Sequence, residues 1–358
     1  MNPRHRIATA VAVGALAMLG AMPRAQRAAP NAQADVTARI VAAAQGVLTA
    51  LDDSGRAKVQ FPFDSPQKTN LSNLPSPMFQ RNGLRLADVT APQRAAVMTL
   101  LSVALSRDGY RKVVDIMRGD EVLRTQSSGD AGRGGGRGPG RGAGAGGPAF
   151  GENQYYLALL GTPSTTAPWR LQFGGHHLAI NLTLVGSEAT MAPSLPAAQP
   201  ASYTVEGRTV RPLGNENDKA FALINALDAG ERSRAILNYR VADLVLGPGR
   251  DGRTIEPEGI RASALAAPHQ EALLDLVHEW AGIINDAFAE PRMAQIKADL
   301  PNTYFAWSGP TTNGSAAYFR IQAPTLVIEY APQQGSVDHI HTIYRDPTND
   351  YGAKFTAK

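Results

Sequence analysis

Apolar residues recur at three- and four-residue intervals through residues 34–51, 91–117, 218–227 and 268–289. That spacing predicts amphipathic helices, with Pro92 and Pro268 suited to first-turn positions, where the missing N–H has no partner to lose. Between and after them lie short runs rich in β-branched and aromatic residues: 155–160, 169–173, 177–185, 304–307, 318–321, 325–330 and 339–344. These read as strands. Within residues 177–184 the even positions are uniformly apolar, so they should face a core while His177, Asn181 and Thr183 face away from it. Helices followed by antiparallel strands, twice over, predict an α+β fold.

The two runs share sequence. Residues 83–100 align without gaps on 259–276, with six of eighteen positions identical. Ala50-Leu51-Asp52 matches Ala226-Leu227-Asp228 at the same offset of 176. Farther on, Tyr156, Ala158 and Gly161 match Tyr304, Ala306 and Gly309 at an offset of 148, and Arg170-Leu171-Gln172 resembles Arg320-Ile321-Gln322. An internal duplication is therefore expected, with halves 35–215 and 216–358 sharing a sheet or a core. Nearly all of the drop of 28 in offset is taken up by residues 129–151 of the first half. That Gly-rich stretch, carrying Arg133, Arg137 and Arg141, lacks the apolar residues for a core and reads as a flexible insertion.

Composition narrows the setting. A basic start, an apolar stretch at 7–22 and small residues ending at Ala32-Gln33-Ala34 read as a secretion signal over 1–34. The stretch is shorter than the roughly 20 residues of a comfortable bilayer span, so an exported protein without stable membrane insertion is expected, in the periplasm or outside the cell. Removing Arg4, Arg6, Arg24 and Arg27 brings 35 basic residues down to 31, equal to the 31 acids. The charge balance then gives no reason to expect nucleic acid. The absence of cysteine excludes disulfides, thiolate ligands and a cysteine nucleophile.

Of the six histidines beyond the N-terminal segment, four fall in Gly174-Gly175-His176-His177 and His339-Ile340-His341. Residues two apart on a strand share a face, so His339 and His341 can reach one ion. Five residues separate Gln172 from Leu178, against three between Gln322 and Leu326, so the first histidine pair occupies extra turn length beside two glycines. The expectation is one zinc or copper ion held by His177, His339 and His341, with His176 a fourth ligand or a proton shuttle. Structural histidines at a sheet edge are the alternative. Glu329, on the preceding strand, is the candidate general base, and Arg320 or Arg345 the candidate for stabilising negative charge on a substrate. Arg345 has a plainer alternative, pairing with an aspartate to fix the turn at 346–350. Trp169, Trp307, Tyr318 and Tyr344 could line a pocket, yet aromatics on strands are more often core. His278-Glu279 lacks the second histidine of a zincin helix, no phosphate-binding glycine loop occurs, and neither Ser164 nor Ser315 sits in a nucleophile elbow.

Phe173-Gly174-Gly175-His176-His177-Leu178, Tyr318-Phe319-Arg320-Ile321-Gln322, Ile328-Glu329-Tyr330 and His339-Ile340-His341 with Arg345-Asp346-Pro347 together resemble the bacterial domain-of-unknown-function family numbered 3500. The likeness runs through the whole mature chain and includes Phe61-Pro62-Phe63-Asp64. It groups these residues and implies no reaction. Members often carry an aromatic-His pair near the place of Leu71-Ser72, which this chain lacks. The reading from the residues is a metal-dependent hydrolase acting on a small anionic molecule. A copper oxidoreductase and a non-catalytic binder of metal or ligand are the other two classes, and the oligomeric state is left open.

Overall fold

The computed structural model describes residues 31–130 and 149–356. The first 30 residues of the expected signal, and the central part of the Gly-rich insertion with its three arginines, lie outside them. The expected boundary at residue 34 falls within the first turn of helix α1 (Ala32–Ala50), which Asn31 caps by accepting from the N–H groups of Gln33 and Ala34. Among the described residues no helix is long and apolar enough to cross a membrane.

After α1 come α2 (Asp53–Val59), β1 (Gln60–Phe61), β2 (Leu84–Arg85), α3 (Ala91–Ala104), α4 (Arg107–Asp130), β3 (Tyr156–Leu160), β4 (Trp169–Gly174), β5 (Leu178–Val185), β6 (Glu188–Thr190) and β7 (Leu195–Pro196). A β8–β9 hairpin (Tyr203–Val205, Arg208–Val210) leads to α5 (Gly214–Ala226), α6 (Ala229–Ala235) and β10 (Ile260–Arg261). There follow α7 (Ala267–Ala281), α8 (Asp286–Ala298), β11 (Tyr304–Ser308), β12 (Tyr318–Ala323), β13 (Leu326–Pro332), β14 (Ile340–Arg345) and the short α9 (Ala353–Thr356). The fold is α+β. The order short strand, two helices, three antiparallel strands occurs once in each half.

Two helices expected as continuous are broken. The 91–117 pattern divides at Leu105-Ser106 into α3 and α4, and the 268–289 pattern at 282–285 into α7 and α8. The breaks face one another: Leu105 bridges Ile284, and Ser106 Oγ donates to Gly282 O at 2.6 Å. Ser106 Oγ also accepts from Gly109 N, while Asn285 caps α8. A Cβ on Gly109 would stand 2.2 Å from Ile283 O, so the two backbones approach as closely as only glycine permits. Helical periodicity continues across each break, which is why the pattern alone does not reveal it.

Each half has its own sheet, and the core under the first also takes in Ile283, Ile284, Phe288 and Ala289 of the second half. The first sheet runs β1-β3-β4-β5-β6, with β2 on β3 and β7 on β5; the second runs β10-β11-β12-β13-β14. Leu178, Ile180, Leu182 and Leu184 of β5 face the helices, as the alternation predicts. Phe305, Trp307, Phe319, Ile321 and Ile328 do the same in the second half, and each fully buried side chain of this size contributes roughly 2–3 kcal/mol. The shared element is narrower than a common sheet. Residues 194–198 pair with β5 on one side (Leu178 opposite Pro196) and bridge β14 on the other (Ser194 to Tyr344, Ala198 to Ile340). Leu195, Ala197, Ile343 and Leu71 form a small apolar cluster at that seam.

The sheet faces opposite the helices are polar, yet they are buried, because an irregular strap crosses each. Gln172 Nε2 donates to the carbonyls of Gln67 and Lys68 in the first strap, residues 62–83. Gln322 Nε2 donates to Ile255 O in the second, residues 237–258. The straps carry backbone groups that need partners, and the sheet side chains supply them.

Candidate metal centre

The seam brings the histidine pairs together. Two strand spacings, roughly 9.5 Å, separate β5 from β14 across residues 194–198, and Ala197 N donates to His177 O at 2.8 Å. His176 and His177 occupy the β4–β5 turn, and His339 lies just before β14 with His341 on it. The alternation that placed His177 opposite the core stops at the turn, and its imidazole reaches α4 instead. Glycine makes the turn possible: a Cβ on Gly174 would lie 2.5 Å from Leu178 O, and one on Gly175 would lie 2.9 Å from the Tyr155 ring.

One ligand nitrogen from each of His176, His177 and His339 lies within 4.8 Å of the others. His177 Nε2 and His339 Nε2 are 3.2 Å apart. Four nitrogens at 2.0–2.1 Å around a tetrahedral ion stand about 3.3 Å from one another, so this edge already has the required length. His341 joins the group at His339, Nε2 to Nε2 at 3.0 Å. The expected trio therefore changes by one: His176 enters, and His341 flanks.

Carboxylates fix two of these rings. His177 Nδ1 donates to Asp120 Oδ1, whose other oxygen accepts from Tyr155 Oη at 2.7 Å. A carboxylate can only accept here, so His177 carries its proton on Nδ1 and turns the Nε2 lone pair toward the centre. His341 Nδ1 lies 3.3 Å from Asp243 Oδ1 and 3.1 Å from Asn73 Nδ2, one residue from each strap. With a proton Nδ1 serves the carboxylate; without one it accepts from the amide. Burial pushes the Asp243 carboxyl up, but hydrogen bonds from His341 and Leu244 N outweigh it and hold the group below its ordinary range.

His176 is 8% exposed, and its Nδ1 is buried with no hydrogen-bond partner. Its ring packs on His177 at 3.9 Å between centroids and on Phe150 at 5.3 Å. A buried ring with an unpartnered nitrogen, grouped with two more imidazoles, fits the donor set to zinc or copper.

Burial, then the neighbouring His177 and His339, hold His176 far below its ordinary pKa. Burial, then His177 and His341, lower His339 to about 3. At neutral pH both rings are uncharged and available as ligands. In the unfolded chain they take up protons near pH 6.5, while in the fold His339 stays neutral to about pH 3, so the unfolded state binds more protons across that window. Stability of the chelator-stripped protein should accordingly fall as pH drops from 6.5 toward 3. Urea midpoints should fall less steeply in a His176→Ala/His339→Ala variant, and parallel slopes would contradict the assignment.

The other expected site residues are engaged in other contacts. Glu329 makes its hydrogen bonds to groups other than the histidines: Oε1 accepts from Val245 N at 2.9 Å and Tyr318 Oη at 2.6 Å, and Oε2 accepts from Leu246 N at 2.7 Å. Burial raises its pKa against those bonds. It anchors the second strap, and both of its oxygens are engaged there and at Tyr318. Arg320 pairs with Glu258 at 2.7 Å and donates to Tyr318 Oη. Arg345 spends its guanidinium on Leu246 O, Gly247 O, Asp251 and Asp350. Neither is open to a substrate, and the turn-fixing reading of Arg345 holds with Asp350 as the partner at the turn. Trp169, Trp307 and Tyr344 belong to the cores.

The sequence reading misses Asp120, Tyr155, Asp243 and Asn73. Asp120 lies within the polar end of a long helix, and the strap residues have no periodicity, so no local pattern marks any of them. A family model described as Protein of unknown function (DUF3500) matches residues 33–353. No curated protein and no solved structure matches the chain.

Proposed function

We propose that this chain, which belongs to the DUF3500 family, is an exported metal-dependent hydrolase of small molecules. The single observation that carries the reading is the gathering of His176, His177 and His339, one ligand nitrogen from each lying within 4.8 Å of the others. These three residues would hold the ion. Neutral imidazoles suit zinc and copper and serve magnesium or calcium poorly. A bound zinc ion would supply Lewis acidity toward the scissile group.

The chain's own residues supply the remainder. Asp120 keeps His177 in the tautomer that points Nε2 inward. His341 Nε2 stands at the edge of the trio with Asp243 and Asn73 behind its Nδ1, so the ring has a partner with and without the Nδ1 proton. It is placed to take the proton of the attacking water at Nε2, the part expected of Glu329 from sequence. This base beside the trio suits hydrolysis, in which the attacking water must give up a proton. The repeated element order supports reading the halves as copies of one unit, with the imidazoles gathered at their seam.

The test is turnover of a chromogenic aryl ester, p-nitrophenyl acetate, by the zinc-loaded protein. His341→Gln should keep the metal and lose kcat by about a hundredfold or more, the usual worth of a general base. Asp243→Asn should lose less. Equal turnover in wild type and His341→Gln, or no turnover in either, would remove the hydrolase reading.

A further inference from the structure

Arg170, Arg292, Arg320 and Arg345 each make several polar contacts, although the Nε of Arg320 has no partner. Arg170 donates to Thr183 Oγ1, Lys68 O and Tyr351 O. Arg292 donates to Tyr344 Oη and Thr325 O and lies 3.6 Å from Asp346. Arg320 and Arg345 are paired as described above. Arg81, on the first strap, makes one hydrogen bond, from Nη2 to Ser72 O at 2.9 Å, and rests against the Phe79 ring at 5.2 Å. Among the described residues it forms no ion pair. Burial lowers its pKa, and the nearby Tyr155, Tyr156 and Asp120 oppose that. Asp120 already serves His177 and Tyr155.

Arg81 lies in the wall of a cavity of about 40 Å³ together with Ser72, Asn82, Gln172, Gly174 and Asn181. A water molecule's share of the liquid is about 30 Å³, so the space admits a group of a few heavy atoms and not a whole cofactor. The amides in the wall satisfy one another: Asn82 Nδ2 donates to Gln67 Oε1 at 3.2 Å and Gln172 Nε2 to Asn181 Oδ1 at 3.0 Å. What remains is a neutral frame and one guanidinium with donors to spare. The cavity adjoins the metal centre at two points. Gly174 opens the turn that carries His176, and Ser72 precedes Asn73, which meets His341. The charge of Arg81 is felt at His176.

We infer that Arg81 binds the carboxylate of a small substrate in this cavity and holds the rest of the molecule toward the histidines. A planar guanidinium matches a carboxylate with two parallel N–H···O bonds, and a partly buried cation without an anion gains from such a partner. The inference rests on the hydrolase reading for its direction and names the substrate class, small carboxylates. It supplies the anion recognition that Arg320 and Arg345, bound up in the second strap, do not.

The test uses ligand-observed NMR titration of the full chain as purified, with acetate and its uncharged near-isostere acetamide as probes and the metal content measured on the same samples. Wild type should bind acetate at least about tenfold more tightly than acetamide, a charge-assisted difference of about 1.4 kcal/mol. Arg81→Gln should lose that preference at unchanged metal content. Arg81→Lys, which keeps the charge without the fork, should keep part of it. Equal binding of the two probes by wild type, or an acetate preference undiminished in Arg81→Gln, would overturn the assignment. An Arg81-dependent preference in a chain without metal would leave the anion site standing and remove the metal centre. A metal-bearing chain with no such preference would do the reverse.

Discussion

Asp120→Ala is expected to cost the fold about 3–5 kcal/mol, the penalty of breaking a buried charged network by removing one member. Asp120 is 1% exposed and holds two buried groups, the Nδ1 of His177 and the Oη of Tyr155. Its removal strands both donors and opens a space under the β4–β5 turn. Domains of this kind are stable by only about 5–15 kcal/mol, so a loss of this size is a large part of the whole. Tyr155→Phe removes one hydroxyl and should cost about 1 kcal/mol, which separates the network from simple packing. Urea unfolding of the three proteins measures this, and a loss below about 1 kcal/mol for Asp120→Ala would show that the network does not brace the site.

The second large effect concerns the ion. His176→Ala/His339→Ala should remove stoichiometric metal and leave the chain folded. These are the two members of the trio that no carboxylate supports: His176 Nδ1 has no partner, and His339 is half-buried with its Nε2 between two other imidazoles. Their loss strands no donor. His177 is the poorer choice for such a test because its removal would leave Asp120 buried without its partner. Circular dichroism and urea midpoints near wild type, with metal below about a tenth of an equivalent, are the expected pair of results. Retention of metal by the folded variant would place the ligands elsewhere.

Much of the fold is legible in the sequence because its periodicities are long. The apolar alternation of residues 178–184 sets the core face of β5, and the match of 83–100 with 259–276 anticipates a repeated order of elements. Local grammar does not reach the helix breaks. Ser106 and Asn285 start new helices where each meets the other half of the molecule, a contact across some 180 residues. The histidines are found by their clustering, which is itself a local signal. Their roles are not, because roles depend on which ring receives a carboxylate, and Asp120 and Asp243 stand 57 and 98 residues from the rings they hold. Glu329, Arg320 and Arg345 all find their partners on the second strap or beside it, which no local pattern announces. Charged residues on strands look like chemistry, but here they face straps whose backbone groups need partners. In the second half Glu329 receives the N–H groups of Val245 and Leu246, and Arg345 binds the carbonyls of Leu246 and Gly247. Sequence cannot distinguish a polar sheet face open to substrate from one closed by a strap.

The central claim is a metal ion on His176, His177 and His339, and the metal-to-chain ratio tests it most directly. The protein is purified without a metal-binding tag, dialysed against metal-free buffer and analysed for zinc and copper by mass spectrometry. About one zinc or copper ion per chain, falling below a tenth in His176→Ala/His339→Ala, is the result the site geometry predicts. A chain that carries no metal, and takes up none when zinc or copper is added, would contradict it.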